Sequence, residues 1–173
     1  MQRTKQAGFT LSELLITIAL LAIMAQIALP AWQEFISKNR SQALMHSVEN
    51  AIHHARSMAV THRIKTELCG SLDQNDCHSD WSKGWLIREA VAGSANQNPP
   101  LHINSLDEPE LKLQWSGFQQ RIIFHNSGLS SASNGRFFVC RKQQIDWQLV
   151  LNRQGRLRRA TEQENRNEDR RCL

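Results

Sequence analysis

Between positions 141 and 159 the chain carries six cations, Arg141, Lys142, Arg153, Arg156, Arg158 and Arg159, against a single acid, Asp146. If the stretch Ile145–Asn152 and the run Arg156–Arg159 are successive strands joined at Gly155, Arg156 and Arg158 project to one face, because strand side chains repeat every two residues. Guanidiniums spaced in this way can each hold a phosphate with paired donors. The segment has no recognition helix and no interleaved aromatics, so such a grip would be directed at the backbone and independent of base sequence. Two plainer roles fit the same residues: a charged edge strand that discourages aggregation, or pairing with the acids that follow, Glu162, Glu164, Glu168 and Asp169.

The charge distribution singles out the same region. Residues 1–135 hold 11 basic and 11 acidic side chains, and residues 136–173 hold 10 and 5, so the whole net charge of +5 sits in the last 38 residues. A uniformly basic protein is thereby excluded in favour of a neutral scaffold with one basic end. His46 and His53, seven apart, share a helix face, but with His54 they have no second shell or close carboxylate by spacing and no H-E-x-x-H pattern, so the three read as solvent-facing. No nucleophile elbow, phosphate-binding loop or dinucleotide fingerprint is present. We read the chain as a non-enzyme with no cofactor and no metal.

Glu13 is the only charge in an apolar run from Phe9 to Leu29. At 1.5 Å per residue those residues reach roughly 31 Å as a helix, enough to cross a bilayer core of about 30 Å. The run is longer than a secretory signal and leads into Pro30, Trp32 and a charged helix, so it reads as retained. Arg3 and Lys5 place the short leader in the cytoplasm and the remainder outside it. A carboxylate within such a segment is a functional hint. Outside the cytoplasm the four cysteines are expected to be oxidised. Three pairings are open; the short separation of Cys69 and Cys77 favours joining them, which leaves Cys140 with Cys172.

These residues must be positioned by two kinds of element. From 31 to 60 the apolar residues Trp32, Phe35, Ile36, Leu44, Met45, Val48, Ala51, Ile52, Ala55, Met58 and Ala59 recur at helical spacing. Beyond Thr61, short runs separated by turn residues read as strands: Ile64–Cys69, Gly84–Glu89, Leu101–Ile103, Leu111–Trp115, Arg121–Phe124, Arg136–Cys140, Ile145–Asn152 and Arg156–Arg159. Residues 126–135 read as a flexible hairpin connection and 161–173 as a polar tail. The implied class is α+β, a long N-terminal helix, membrane-spanning over 9–30 and amphipathic over 31–60, packed on an antiparallel β-sheet domain over 61–160.

The string Gly8-Phe9-Thr10-Leu11-Ser12-Glu13 closely resembles the class III signal G-F-T-L-x-E of type IV pilins and pseudopilins. That resemblance implies a leader over residues 1–8 cut between Gly8 and Phe9 by prepilin peptidase, N-methylation of Phe9, residence in the inner membrane with a periplasmic C-terminal domain, and assembly with other major and minor pilins into a surface filament. It gives Glu13 the task of neutralising a neighbouring subunit's N-terminal amine, and sets Pro30 where these helices kink. Trp81-Ser82-Lys83-Gly84-Trp85-Leu86-Ile87 and the later runs, through Gly155-Arg156-Leu157-Arg158, are similar to the GspH/FimT group of minor pseudopilins, over about residues 1–160. FimT-type members from naturally competent bacteria bind DNA through G-R-x-R, matched here by Gly155-Arg156-Leu157-Arg158. The implied function is sequence-independent capture of extracellular DNA for natural transformation, with Arg153, Gly155, Arg156, Arg158, Arg159, Arg141 and Lys142 as the contact set. Secretion pseudopilins can end similarly, so the alternative is a structural minor pilin or type II secretion pseudopilin that primes filament assembly.

Overall fold

The computed structural model describes residues 10–91, 98–107, 111–130 and 132–173. Gly8 and Phe9 lie outside the described residues. Helix α1 (Leu11–His62) starts on a capping box: Glu13 N donates to Thr10 Oγ1 at 3.3 Å and Thr10 N donates to Glu13 Oε2 at 3.4 Å. Two of the donors that a helix start leaves without intrahelical partners are thus satisfied. Glu13 therefore has a local structural task beside any other it performs.

The chain forms two compact units, one ending at Arg40 and the other running from Ser41 to Leu173. In the first, the apolar side chains from Leu11 to Leu29 are exposed. An 18-residue window there has a mean hydropathy of 2.3 with none of it buried. It is long and apolar enough to cross a membrane. Pro30 lies inside the helix, where its missing N–H removes one backbone bond.

In the second unit the remainder of α1 buries Ser41, Leu44, Met45, Val48, Ala51, Ile52, Ala55 and Ala59. Their spacing of three and four is one helical stripe, and the alanines let the backbone approach closely. Eight strands face it: β1 (Thr66–Gly70), β2 (Gly84–Glu89), β3 (His102–Ser105), β4 (Leu113–Gly117), β5 (Arg121–Phe124), β6 (Gly135–Arg141), β7 (Gln144–Leu151) and β8 (Leu157–Arg159). They form two four-stranded sheets, ordered β3-β2-β1-β5 and β4-β6-β7-β8, with antiparallel pairing throughout.

The α+β architecture with antiparallel strands is the expected one, and the division into two sheets refines it. With roughly 20–25° of twist between neighbours, eight strands in one sheet would rotate their far edges away from a single helix, whereas two shorter sheets can both face it. Leu68, Ile87, Ile122 and Phe124 from one sheet and Phe137, Val139, Leu149 and Leu151 from the other join the helix stripe in one core. Trp147 Nε1 donates to Ser41 O at 3.0 Å and Thr66 Oγ1 to Ala55 O at 2.8 Å, so polar ties also fix each sheet to the helix.

Two further expectations are corrected. Residues 126–135 do not close a hairpin, because β5 and β6 belong to different sheets; among the described residues of this stretch, Leu129 O accepts from His125 N at 2.9 Å and Ser130 N donates to Arg153 O at 3.1 Å. The stretch after Thr161 is folded: α2 (Glu162–Asn167) is capped by Thr161 and Glu164 in the same reciprocal manner as α1 and leads into a 3-10 turn, Asp169–Cys172. Cys140 is bonded to Cys172, and Cys69 to Cys77. Gln148 of β7 is buried beneath α2, its Nε2 donating to Asn165 Oδ1 at 3.1 Å.

Candidate nucleic-acid interface

The basic segment is built around the turn between β7 and β8. Asn152 closes it: its Oδ1 accepts from Gln154 N at 3.0 Å and from Arg156 N at 2.9 Å. Its backbone N donates to Arg156 O at 3.1 Å, and its own carbonyl accepts from Gly155 N at 3.0 Å. The ladder thus reaches back to Arg156, although regular β8 begins only at Leu157. Gly155 has φ +72°, and a Cβ there would lie 2.7 Å from Gly128 O, so both the conformation and the space require glycine. Arg56 of α1 donates from Nη1 to Gly155 O at 3.0 Å. The turn is therefore braced from the helix and from the β5–β6 connection.

The cations divide according to what this scaffold sets beside them. Arg156 is exposed, and its side chain makes no hydrogen bond or ion pair among the described residues. Arg153 is exposed and has one long contact, Nε to Asn134 Oδ1 at 3.4 Å. Arg158 is instead gripped by both oxygens of Glu164, at 2.7 and 2.9 Å. Arg159 is gripped by both oxygens of Glu49 on α1, at 2.7 and 2.8 Å, with His46 Nδ1 at 3.3 Å. Neighbours along a strand point to opposite faces, so Arg158 meets the α2 side of the sheet and Arg159 the α1 side.

Arg141 and Lys142 are not part of this group. Arg141 ends β6, paired with Asp146 at 3.0 Å, and Lys142 with Gln143 makes the β6–β7 turn, both at positive φ. The eight residues of β7 separate them from Arg153 and Arg156, a distance of roughly 25 Å.

The ion pairs are firm against pH. The Arg158 guanidinium, aided by the Thr161 backbone N–H, pushes the Glu164 carboxyl down to about 2; Arg159 in the same way holds Glu49 below the usual carboxylate range. A depressed carboxylate pKa means the pair is present above the ordinary value and lost only as pH falls through the depressed one, so Arg158 stays paired throughout the neutral and mildly acidic range. Salt, which screens pairs this exposed, is the agent that loosens it.

Residues 45–155 match the family described as type II transport protein GspH, and residues 3–29 match the prokaryotic N-terminal methylation motif. The chain belongs to the GspH family. As a GspH-type chain it is a type IV minor pilin or pseudopilin. Its fold resembles the crystal structure of the type IV minor pilin FimU of Pseudomonas aeruginosa, with a TM-score of 0.59 and 20% identity over 73% of this chain and 92% of that one. That identity carries the fold alone. The type IV major fimbrial protein FimA of Dichelobacter nodosus is 29% identical over 56% of this chain and 54% of its own length. Fimbrial protein Q of Moraxella bovis is 58% identical over 36 residues, 21% of this chain and 23% of its own. The chain thus spans about half or less of these fimbrial relatives.

Three residues of this site escape a reading of the basic segment alone: Arg56 and Asn152, which brace the turn, and Glu49, which neutralises Arg159, whereas Glu164 is one of the acids expected to pair with the run and does so with Arg158. Glu164 had a visible signal in Thr161-x-x-Glu164, a capping-box pattern that marks a helix where the composition suggests only a tail. Glu49 had none.

Proposed function

We propose that this minor pilin captures extracellular DNA through its phosphate backbone, independently of sequence, for uptake in natural transformation. The observation that carries the reading is the braced β7–β8 turn, which presents Arg153 and Arg156 to solvent without an acidic partner while acids occupy the neighbouring cations. Gly155 shapes that turn, and Arg158 and Arg159 form a reserve that phosphate must win from Glu164 and Glu49. The test is a fluorescence-anisotropy titration of the full-length protein in detergent with labelled duplex DNA over several salt concentrations. Binding that falls with salt supports the reading; absence of binding at low salt ends it.

Glu164→Gln separates phosphate gripping from a merely solvated edge. Glutamine keeps the cap on α2, because it still accepts from Thr161 N, but it releases Arg158. Duplex affinity is expected to rise about 5-fold at 0.15 M salt and the salt slope to steepen by about 0.9, the contribution of one more neutralised phosphate.

The remaining parts of the reading follow the N-terminal motif. Prepilin peptidase cuts between Gly8 and Phe9, Phe9 is methylated, the apolar helix anchors the protein in the inner membrane with the sheet unit in the periplasm, and Glu13 meets the amine of a neighbouring pilin in the filament. Intact mass is expected to fall by the eight-residue leader and to gain one methyl group; an unchanged mass in peptidase-positive cells contradicts this. A second reading, a structural minor pilin or secretion pseudopilin that only primes assembly, is favoured by the ion pairs that tie Arg158 and Arg159 into the protein.

A further inference from the structure

We propose that Phe118 is a stacking platform for an unpaired nucleobase, and that it gives the arginine turn a preference for single-stranded over duplex DNA. The proposal rests on the DNA-binding reading above and goes beyond it by naming the form of DNA. Phe118 lies in the β4–β5 turn and is 79% exposed, more than any other phenylalanine or tryptophan among the described residues. Its backbone is nonetheless held: Phe118 N donates to Asn134 O at 3.1 Å, and Trp115 Nε1 donates to Gln119 O at 2.6 Å. Trp115 is itself packed 4.6 Å from Phe137 of the core, ring centre to ring centre. An exposed ring on a fixed turn offers its face at little ordering cost.

Its surroundings select the occupant. Asn134, whose carbonyl holds Phe118, accepts Arg153 Nε at its Oδ1, so the ring and a phosphate-seeking guanidinium share one anchoring residue. A cleft of about 430 Å³ beside the ring is also lined by Arg136 and Arg171. Among the described residues both of those reach only Glu168 of the acids, two cations against one carboxylate. The ring also borders a cleft of about 810 Å³ lined by Lys65 and by the Arg121–Glu67 ion pair. An apolar face beside a cationic cleft suits a ligand that alternates flat rings with phosphates. Duplex DNA keeps its base faces within the stack, whereas a single strand presents them, and base–aromatic stacking is tolerant of sequence.

The experiment uses the full chain in detergent with a fluorescent oligo-dT and a duplex of equal length, titrated by anisotropy at several salt concentrations. Wild type is expected to bind oligo-dT more tightly than duplex. Phe118→Ala should weaken oligo-dT binding by about 5- to 150-fold, the range that truncating a stacking residue produces. Duplex affinity and both salt slopes should stay unchanged, and Phe118→Trp should restore the preference. Equal losses for both DNA forms, or no loss for oligo-dT, overturn the proposal while leaving backbone binding in place. A variant defective only in filament assembly shows instead that the ring is a pilin contact and overturns it as well. If wild type binds neither DNA, the DNA-binding reading fails first and the stacking proposal falls with it.

Discussion

A full-length variant carrying Arg153→Gln and Arg156→Gln is expected to bind duplex DNA about 30-fold more weakly at 0.15 M salt, with a salt slope shallower by about two. The arithmetic follows from counterion release, in which each phosphate neutralised adds about 0.9 to the slope of log affinity against log salt; giving up two such phosphates, with 1 M salt as the reference, amounts to about 1.5 decades at 0.15 M. The pair is chosen on structural grounds. Both side chains are exposed and unengaged by acids, so their loss removes no ion pair, and the turn is held by Asn152 and Arg56, which the substitutions leave untouched. The fold is therefore expected to be unchanged by circular dichroism. Arg158→Gln alone should cost less, because Arg158 must first leave Glu164. Arg141→Gln should cost almost nothing, since Arg141 lies at the far end of β7 and is committed to Asp146. Equal losses from Arg141→Gln and Arg156→Gln would show that binding follows total charge and not this turn.

Converting Cys140 and Cys172 together to serine is expected to reduce the stability of the sheet unit by about 3–4 kcal/mol, the chain-entropy value for a loop of this size, the two cysteines being 32 residues apart. The same change at Cys69 and Cys77, 8 residues apart, should cost less, about 2–3 kcal/mol. Urea unfolding followed by tryptophan fluorescence reads both, since Trp81, Trp85 and Trp147 are buried in this unit. The longer bridge has a second consequence. It pins the segment whose Asp169 accepts from Ile145 N at 2.7 Å, whose Asn165 accepts from Gln148, and whose Glu164 holds Arg158. Freed from Cys140, that segment should leave the sheet more often and release Arg158, so DNA affinity per folded molecule is expected to rise while stability falls. A fall in both would mean that α2 supports the interface and does not mask it.

The sequence by itself determined the elements that depend on spacing along the chain. The helical stripe Leu44, Met45, Val48, Ala51, Ile52, Ala55 and Ala59 was legible because a period near 3.6 leaves one apolar face. Alternation around Trp147 and Leu149 marked β7 because strand side chains change sides at every residue, and Gly155 marked a turn that few other residues could make. Only the tertiary structure decided which arginines remain available to a ligand. Arg159 is silenced by Glu49, 110 residues away, because β8 docks beside α1. Arg158 is silenced by Glu164 because the polar C-terminal stretch folds back over the sheet. Arg156 stands free because the braced turn lies beyond the reach of either acid. Adjacent positions in one basic run therefore differ in availability. A strand's period is a local property of the backbone, whereas an ion pair depends on where register and helix packing bring remote carboxylates, and no spacing within the run encodes that.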